Sequence, residues 1–350
     1  MPLDAPRPPD LSQQIATARS RPVAIWLLAV AAMILAMIAI GGATRLTGSG
    51  LSIMEWAPLS GALPPTSEAE WQRLYDLYRT IPQYELVNAG FGLEGFKRIF
   101  WLEWLHRLWG RLIGLAFALP LAWFWLRGKL PPRMGGRLVL LLLLGAAQGG
   151  VGWFMVASGF EADRTAVSPY RLVVHLALAF LLFAAVLWIA FGLLWPQPAP
   201  GGARRTLRRA VMATTVLAGV TMLAGGFVAG LRAGLTYNTF PLMDGAVVPD
   251  GYGALTPFWL NAFENIAAVQ FNHRLLATAT LAGAAIVALR AHGHRAALLL
   301  AGAVVAQYAL GVATLLLVVP PALGTLHQTV AALVLAAGLL ALHRLRGATA

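Results

Sequence analysis

Four of the seven histidines stand near the starts of apolar segments of the sequence: His106, His175, His273 and His327. An ionisable side chain inside a membrane span is costly and usually faces the interior of a helix bundle. Neutral imidazole is a good ligand for heme iron, and the core of a four-helix bundle excludes water. Two histidines on facing helices therefore predict axial ligation of one heme, and two such pairs predict two hemes.

Two other interpretations of these histidines stay open. Each imidazole could simply hydrogen-bond across helices, although four in repeat register favour ligation of iron. Zinc is disfavoured, because two histidines per bundle leave a tetrahedral site short of ligands. The other three histidines lie among arginines and are expected to be solvated or headgroup-facing residues: His292, His294 and His343.

A carboxylate beside the first histidine indicates that the two pairs differ. Glu103 lies three residues before His106 and shares its helix face, whereas Gln270 takes the corresponding place before His273. A carboxylate next to a heme can move protons or stabilise positive charge, and an amide cannot do the first. We therefore expect the first pair to be reactive and the second pair to hold a permanent heme. The alternative is that Glu103 has no chemical role and only complements a helix N-terminus and forms an ion pair with Arg107.

Arginines and glycines near the histidines are further candidates for contact with a heme. Guanidinium groups could pair with heme propionates or extend to lipid headgroups, and neither is favoured. Paired glycines could admit a macrocycle closely, although ordinary helix packing is the preferred interpretation. The arginines are Arg45, Arg107, Arg232 and Arg274, and the glycines are Gly41, Gly42, Gly225 and Gly226.

The composition predicts the helices that must position these residues. Of the 350 residues, 59% are hydrophobic and only 11% are charged, and the mean hydropathy is +0.70. The absence of cysteine leaves no disulfide, thiolate or iron–sulfur chemistry. Eight segments have the roughly 20 apolar residues that a membrane span needs: 23–43, 104–126, 137–157, 170–195, 210–230, 270–290, 296–318 and 324–343.

Basic residues predict the orientation of these spans. The net charge of +12 comes largely from Lys and Arg between the apolar segments, which indicates membrane topology rather than nucleic-acid binding. They cluster on the side of both termini, which we therefore place in the cytoplasm, with residues 1–22 leading into an uncleaved first span. The opposite side carries a long loop, 44–100, where Ser67 and Glu70 have capping-box spacing before a short helix expected to lie on the membrane.

An internal repeat relates the two halves of the chain. The segments EWLHRL (103–108) and AQGGVG (147–152) of the first half resemble QFNHRL (270–275) and AQYALG (306–311) of the second. This order predicts an all-α membrane protein of two tandem four-helix bundles, residues 1–200 and 201–350. Because each half has an even number of spans, a pseudo-twofold axis along the membrane normal is expected.

Several motifs together resemble the heme A synthase family. They are GGATRLTGSGLS (41–52), SIMEWAP (52–58), EWLHR (103–107), NHR (272–274) and LHQ (326–328). The resemblance extends over essentially the whole chain and is to the cysteine-free type found in alpha-proteobacteria and mitochondria.

The resemblance implies oxidation of the C8 methyl group of heme O to the formyl group of heme A, for use by cytochrome oxidase. It implies that His273 and His327, with Arg274 nearby, hold a resident heme B, and that His106 and His175 bracket heme O while Glu103 assists at the methyl group. It further implies a bacterial inner-membrane location. The partners implied are heme O synthase, cytochrome oxidase assembly factors, membrane lipid and an electron-transfer partner that the sequence does not identify.

Two other functions are considered from the residues. A membrane b-type cytochrome that only transfers electrons would suit the four histidines equally well, but it does not require the difference between Glu103 and Gln270. A transporter would suit the tandem repeat, but it would be expected to have broken spans with charges at the membrane midplane.

Overall fold

The fold is all-α in the residues that the computed structural model describes, 11–196 and 205–346, with side chains from residue 20. Eight helices in this part of the chain are long and apolar enough to cross a membrane, which confirms the predicted membrane fold. In chain order the helices are α1 (Leu11–Leu46), α2 (Glu68–Tyr78), α3 (Pro82–Val87), α4 (Gly92–Leu126), α5 (Gly135–Ala157), α6 (Pro169–Leu194), α7 (Arg205–Gly230), α8 (Asn261–Glu264), α9 (Ile266–Ala291), α10 (Arg295–Leu316) and α11 (Pro321–Arg344). Helices α2, α3 and α8 are short, and the other eight are the spans.

Proline and asparagine mark the starts of three spans that carry histidines. Helices α6 and α11 begin with Pro169 and Pro321 at the first helical position, where a missing N–H has no intrahelical partner to lose. Asn265 caps α9, and its side chain accepts hydrogen bonds from the backbone N–H groups of Ala267 and Ala268 at 2.9 and 3.2 Å. Each start fixes how far into its helix the histidine lies.

Helix α4 begins earlier than its apolar segment predicted, at Gly92 rather than near residue 104. Its 35 residues extend over about 52 Å at 1.5 Å per residue, which exceeds the roughly 30 Å of hydrocarbon core. The extra turns are polar on one side and carry Phe96 and Phe100 on the other, where the ring of Trp71 lies 6.4 and 4.8 Å away. Packing against loop 44–100 therefore accounts for the turns in excess of the length that a membrane core requires.

The short helix predicted in the outer loop is confirmed as α2. The Ser67 side chain accepts a hydrogen bond from the Glu70 backbone N–H at 3.3 Å. Its apolar residues Trp71, Leu74 and Tyr78 are buried against protein instead of facing lipid as expected. Burial raises the pKa of Tyr78, whose hydroxyl donates to Gln83 Oε1 at 3.1 Å.

Each half of the chain arranges its four spans in a closed ring. In the first half α1 packs against α4 and α6, and α5 packs against the same two helices. In the second half α7 packs against α9 and α11, and α10 packs against the same two. The rings meet where α1 contacts α11 and where α6 contacts α7 and α11.

The predicted division into 1–200 and 201–350 and the pseudo-twofold axis both stay predictions. The boundary itself, the basic residues Arg7 and Arg204 and the first ten residues of the N-terminal arm lie outside the described residues. Apolar side chains fill part of the interior of each ring, among them Leu27, Phe117 and Leu138 in the first and Leu207, Val287 and Leu300 in the second.

Candidate functional site

The four predicted histidines come together as two pairs. His106 on α4 and His175 on α6 are close enough to interact electrostatically, and so are His273 on α9 and His327 on α11. Each pair joins the second and fourth spans of one half, as the repeat predicted. The polypeptide thus presents two imidazoles to each interior.

Each histidine ring lies against a glycine of a neighbouring span. A Cβ atom added at these glycines would meet a ring atom at 3.2 Å or less, which is tighter than ordinary side-chain contact. The pairs are Gly41 with His106 Nε2 at 3.2 Å, Gly152 with His175 Cε1 at 3.1 Å, Gly225 with His273 Cε1 at 3.0 Å, and Gly311 with His327 Cε1 at 2.8 Å.

The second glycine of each predicted pair has a different contact. Gly42 faces the side chain of Gln328 on α11, and Gly226 faces Val173 and Leu176 on α6. Both belong to the contact between the two rings of helices. The sequence therefore pairs a glycine that makes room for a histidine with a glycine that makes room for helix packing.

Glutamines on the third span of each half hold the second histidine of each pair. Gln148 Nε2 lies 3.2 Å from His175 Nδ1 and 3.0 Å from the His175 carbonyl oxygen. Gln307 Nε2 makes the same contacts with His327 at 3.2 and 3.0 Å. The Oε1 atoms of both glutamines are buried and have no hydrogen-bond partner among the described residues.

The first histidine of each pair differs between the halves. His273 Nδ1 lies 3.1 Å from the backbone carbonyl oxygen of Thr221 on α7. No hydrogen bond joins the His106 ring to any residue in the described part of the chain.

Glu103 is buried and binds the outer loop. Its Oε2 accepts hydrogen bonds from the Ser52 N–H and hydroxyl, both at 2.7 Å, and from the Ile53 N–H at 3.0 Å. Its Oε1 accepts from Arg107 Nη2 at 2.7 Å. The Glu103–Arg107 ion pair considered as the alternative is therefore present, and loop 44–100 adds contacts that the sequence did not indicate.

Two arginines on successive turns of α4 continue this contact with the loop. Arg107 donates to the carbonyl oxygens of Ile53 and Glu55 at 2.5 and 2.6 Å. Arg111 donates to those of Ala57 and Pro58, both at 2.9 Å. Arg107 is thus occupied by protein, and Arg111 is a loop-binding residue that the sequence analysis missed.

Gln270 and Arg274 bind the loop between α7 and α8, residues 231–260, which we call the second outer loop, in a comparable way. Gln270 Nε2 donates to the carbonyl oxygens of Ala233 and Thr236, both at 2.6 Å, and its Oε1 accepts from Arg274 Nη2 at 2.6 Å. Arg274 also donates to the carbonyl oxygens of Tyr237 and Thr239 at 2.5 and 2.9 Å. Its Nε is buried without a hydrogen-bond partner among the described residues.

The remaining candidate arginines lie between the halves. Arg45 donates to the Ala229 carbonyl oxygen at 3.0 Å and interacts electrostatically with Arg232. The Arg232 side chain is exposed.

One of the three histidines expected to be solvated is buried. His343 is 0% exposed, and its Nε2 lies 3.0 Å from the carbonyl oxygen of Trp195 at the end of α6. The expectation fails because the His343 ring packs against Trp188 and Phe191 of α6, while Arg346 donates to the same Trp195 carbonyl oxygen at 2.7 Å. His292 is exposed after the end of α9, and His294 caps α10 by accepting from the Ala297 N–H at 3.3 Å.

The residues present fit heme better than a metal ion held by protein alone. No group of three or more His, Cys, Asp or Glu side chains within residues 11–196 and 205–346 is placed to hold a metal ion. Two imidazoles suffice for a heme, because the porphyrin supplies the other four ligands. The glycine beside each ring provides room for the imidazole, and the Thr221 carbonyl oxygen is a hydrogen-bond acceptor for His273.

Comparisons with known proteins agree with this geometry. Residues 24–339, which include all four histidines and Glu103, match the COX15-CtaA family, described as cytochrome oxidase assembly protein. The chain is 57% identical over 331 residues to the heme A synthase of Granulibacter bethesdensis, covering 93% of this chain and 88% of that protein. It is 50% identical over 333 residues to the heme A synthase of Rhodospirillum centenum, covering 91% and 87%. It is also 50% identical over 330 residues to that of a Methylobacterium species, covering 91% of each.

Proposed function

Because the chain belongs to the COX15-CtaA family of cytochrome oxidase assembly proteins, we propose that it is a heme A synthase. The reaction is oxidation of the C8 methyl group of heme O to a formyl group, through successive hydroxylations and loss of water. One observation carries the proposal: a duplicated pair of histidines lies inside a chain that is 57% identical to a heme A synthase over 93% of its length.

The two histidine pairs take different roles in this proposal. His273 and His327 hold a resident heme B, and His106 and His175 hold the substrate heme O. The rings that glutamines or a backbone carbonyl contact are those of His175, His273 and His327, so both rings of the second pair are held. Support on both rings suits a permanent cofactor. We assign Arg274 to the same site, because it follows His273 directly and its buried Nε has no hydrogen-bond partner among the described residues.

Glu103 acts in the first site. Its carboxylate lies on the same face of α4 as His106 and is held by Ser52, Ile53 and Arg107. A fixed carboxylate near the methyl group can stabilise positive charge that develops during oxidation. The heme iron would supply the redox chemistry when it is bound, together with an electron-transfer partner that donates or accepts the electrons.

The membrane setting follows from the same proposal. The protein is a multi-pass protein of the bacterial inner membrane, with both termini in the cytoplasm and the histidine pairs toward the outer leaflet. Apolar spans can take up the farnesyl tail of heme O from the surrounding lipid. Heme O synthase is the source of the substrate, and cytochrome oxidase with its assembly factors receives the product.

The proposal is tested by extracting hemes from cells that make heme O, with and without this chain. We expect a new formyl-bearing heme, resolved by chromatography and mass, only when the chain is present. If heme O stays unchanged while the purified protein still carries heme, the electron-transfer cytochrome becomes the better explanation.

The ligand roles are tested by substitution in the second pair. His273→Ala or His327→Ala should remove the heme B spectrum from the purified protein, because each loses an axial ligand. His292→Ala is the matched control, since that side chain is exposed and outside the pairs. An unaltered spectrum in both site variants would count against ligation by these residues.

A further inference from the structure

The four histidine rings are not held equally. Three have a polar group next to Nδ1: Gln148 for His175, Gln307 for His327, and the Thr221 carbonyl for His273. His106 has no hydrogen-bond partner on its ring in the described part of the chain. The unheld ring therefore belongs to the first pair, which the proposed function assigns to the substrate.

The contact with glycine also sets His106 apart. At Gly152, Gly225 and Gly311, the ring atoms nearest to an added Cβ are Cε1 followed by Nδ1. At Gly41 they are Nε2 at 3.2 Å and Cδ2 at 3.7 Å. The His106 ring thus presents its opposite edge to the neighbouring helix, and its Nε2 lies against α1.

Hydrogen bonding at Nδ1 matters because it decides how firmly an imidazole binds iron. A histidine that ligates through Nε2 carries its proton on Nδ1 and usually donates it to an acceptor, which fixes the ring and strengthens the ligand. The Thr221 carbonyl is such an acceptor for His273. For His175 and His327 the group beside the ring is the glutamine Nε2, which lies 3.2 Å from Nδ1 and donates to the carbonyl oxygen of the same histidine at 3.0 Å, so it limits the movement of the ring.

We propose that His106 is the exchangeable ligand of the substrate site and that Gln148 is a positioning residue that keeps His175 on the iron. This inference rests on the proposed function, because it assumes that the first pair binds heme. Two bound imidazoles leave the iron no open position, so one ring has to leave before another molecule can bind there. The ring that leaves is the one on α4, three residues after Glu103, so the iron opens on the helix that carries the carboxylate.

Carbon monoxide binding to the reduced, purified protein tests which ring leaves. We expect the gas to bind at one of the two histidine pairs, the first, because both rings of the second pair are held. His106→Ala should give the same carbon monoxide spectrum and iron–carbon stretching frequency as the wild type, since His175 is then opposite the gas in both. His175→Ala should give a shifted frequency.

The inference is overturned if the wild-type complex matches His175→Ala instead, or if the gas binds the second pair or neither pair. Heme A formation, measured separately in the same membranes, tests the proposed function independently of the role of His106. A reversed carbon monoxide result with normal heme A formation would reject the role of His106 alone. Loss of heme A formation, with the expected carbon monoxide result, would reject the proposed function alone.

Gln148→Leu keeps both histidines and tests the positioning role without removing a ligand. We expect a second population in the carbon monoxide spectrum, because His175 then loses its advantage over His106. Gln328→Leu is the matched control, because this glutamine follows His327 directly but bonds to the Ile38 carbonyl oxygen at 3.0 Å and to no ring. A single wild-type population in Gln148→Leu would contradict the role of Gln148.

Discussion

At the scale of single residues, the difference between Glu103 and Gln270 has a structural cause as well as a catalytic interpretation. The carboxylate accepts from N–H and O–H groups of Ser52 and Ile53, whereas the amide donates to carbonyl groups of Ala233 and Thr236. Each side chain matches the backbone groups that its loop presents. Substituting Glu103 with glutamine would place an NH₂ either against the Ser52 and Ile53 donors or against the Arg107 guanidinium, so it is not a conservative change.

If the Glu103 carboxylate has a chemical role, Glu103→Ala and Ser52→Ala should differ in how much heme A they form. We expect Glu103→Ala to retain both hemes but to accumulate heme O, and Ser52→Ala to form heme A at close to the wild-type level. Loss of the serine hydroxyl removes one hydrogen bond to a charged group, which costs about 1.5–3 kcal/mol, and leaves the carboxylate with its other donors. Heme extraction from membranes measures both, and an equal loss of heme A in the two variants would indicate that Glu103 only anchors the loop.

Glycines beside the rings offer a second test at this scale. Gly311→Ala places a Cβ 2.8 Å from His327 Cε1, so the ring has to move and we expect most of the heme to be lost from the second pair. Gly302→Ala, on the same helix, meets no atom within 4 Å and should keep the wild-type heme content. The pyridine hemochrome spectrum of each purified variant gives the result, and equal heme content would argue against a site at His327.

At the scale of elements, α4 binds the outer loop through three successive turns. Glu103, Arg107 and Arg111 are spaced four residues apart, and together they bind backbone groups of residues 52–58. Non-helical backbone near the membrane is tolerated where its polar groups find protein partners. In the second half Thr278 follows Arg274 by four residues and bonds to Tyr308 instead of the loop, so this third contact is particular to the first half.

Arg111→Leu should loosen the loop without unfolding the bundle. Two carbonyl groups lose a charged donor, which we expect to cost about 1–3 kcal/mol locally. Hydrogen exchange across residues 57–62 should become faster, while exchange in α6 stays unchanged. Arg127→Leu, after the other end of α4, serves as the control, and equal exchange in both variants would show that Arg111 does not hold the loop.

At the scale of the whole molecule, polar contacts join the two halves at both ends of the spans. Arg45 bonds to the Ala229 carbonyl near the outer end, and His343 contacts the Trp195 carbonyl near the other. Gln328 on α11 donates to the Ile38 carbonyl between them, at 3.0 Å. Since lipid tails are as apolar as the helix surfaces, such bonds and close packing hold spans together where a hydrophobic driving force is absent.

The orientation of the whole molecule can be tested with single cysteines, because the natural sequence has none. Asp250→Cys in the second outer loop should react with a membrane-impermeant thiol reagent applied to spheroplasts, since that loop is predicted to face outward. Lys129→Cys should react only after the membrane is opened. Both positions are exposed, so the opposite pattern of labelling would mean that the termini lie outside.

The sequence by itself determined the features that follow from local composition and from the repeat. Hydropathy predicted eight spans because each span is a continuous apolar segment, and the repeat predicted which histidines pair because both halves preserve their order. The four histidines and Glu103 could therefore be named as candidates without a structure.

Only the tertiary structure decided how these residues are held. Ser52 meets Glu103 across 51 positions of the chain, Gln148 meets His175 across 27, and Trp195 meets His343 across 148. A local pattern carries no information about such contacts, because they depend on which helix faces are turned toward each other. For the same reason the unequal support of the four rings, with His106 unheld, is a property of the packed helices and not of the repeat that placed the histidines.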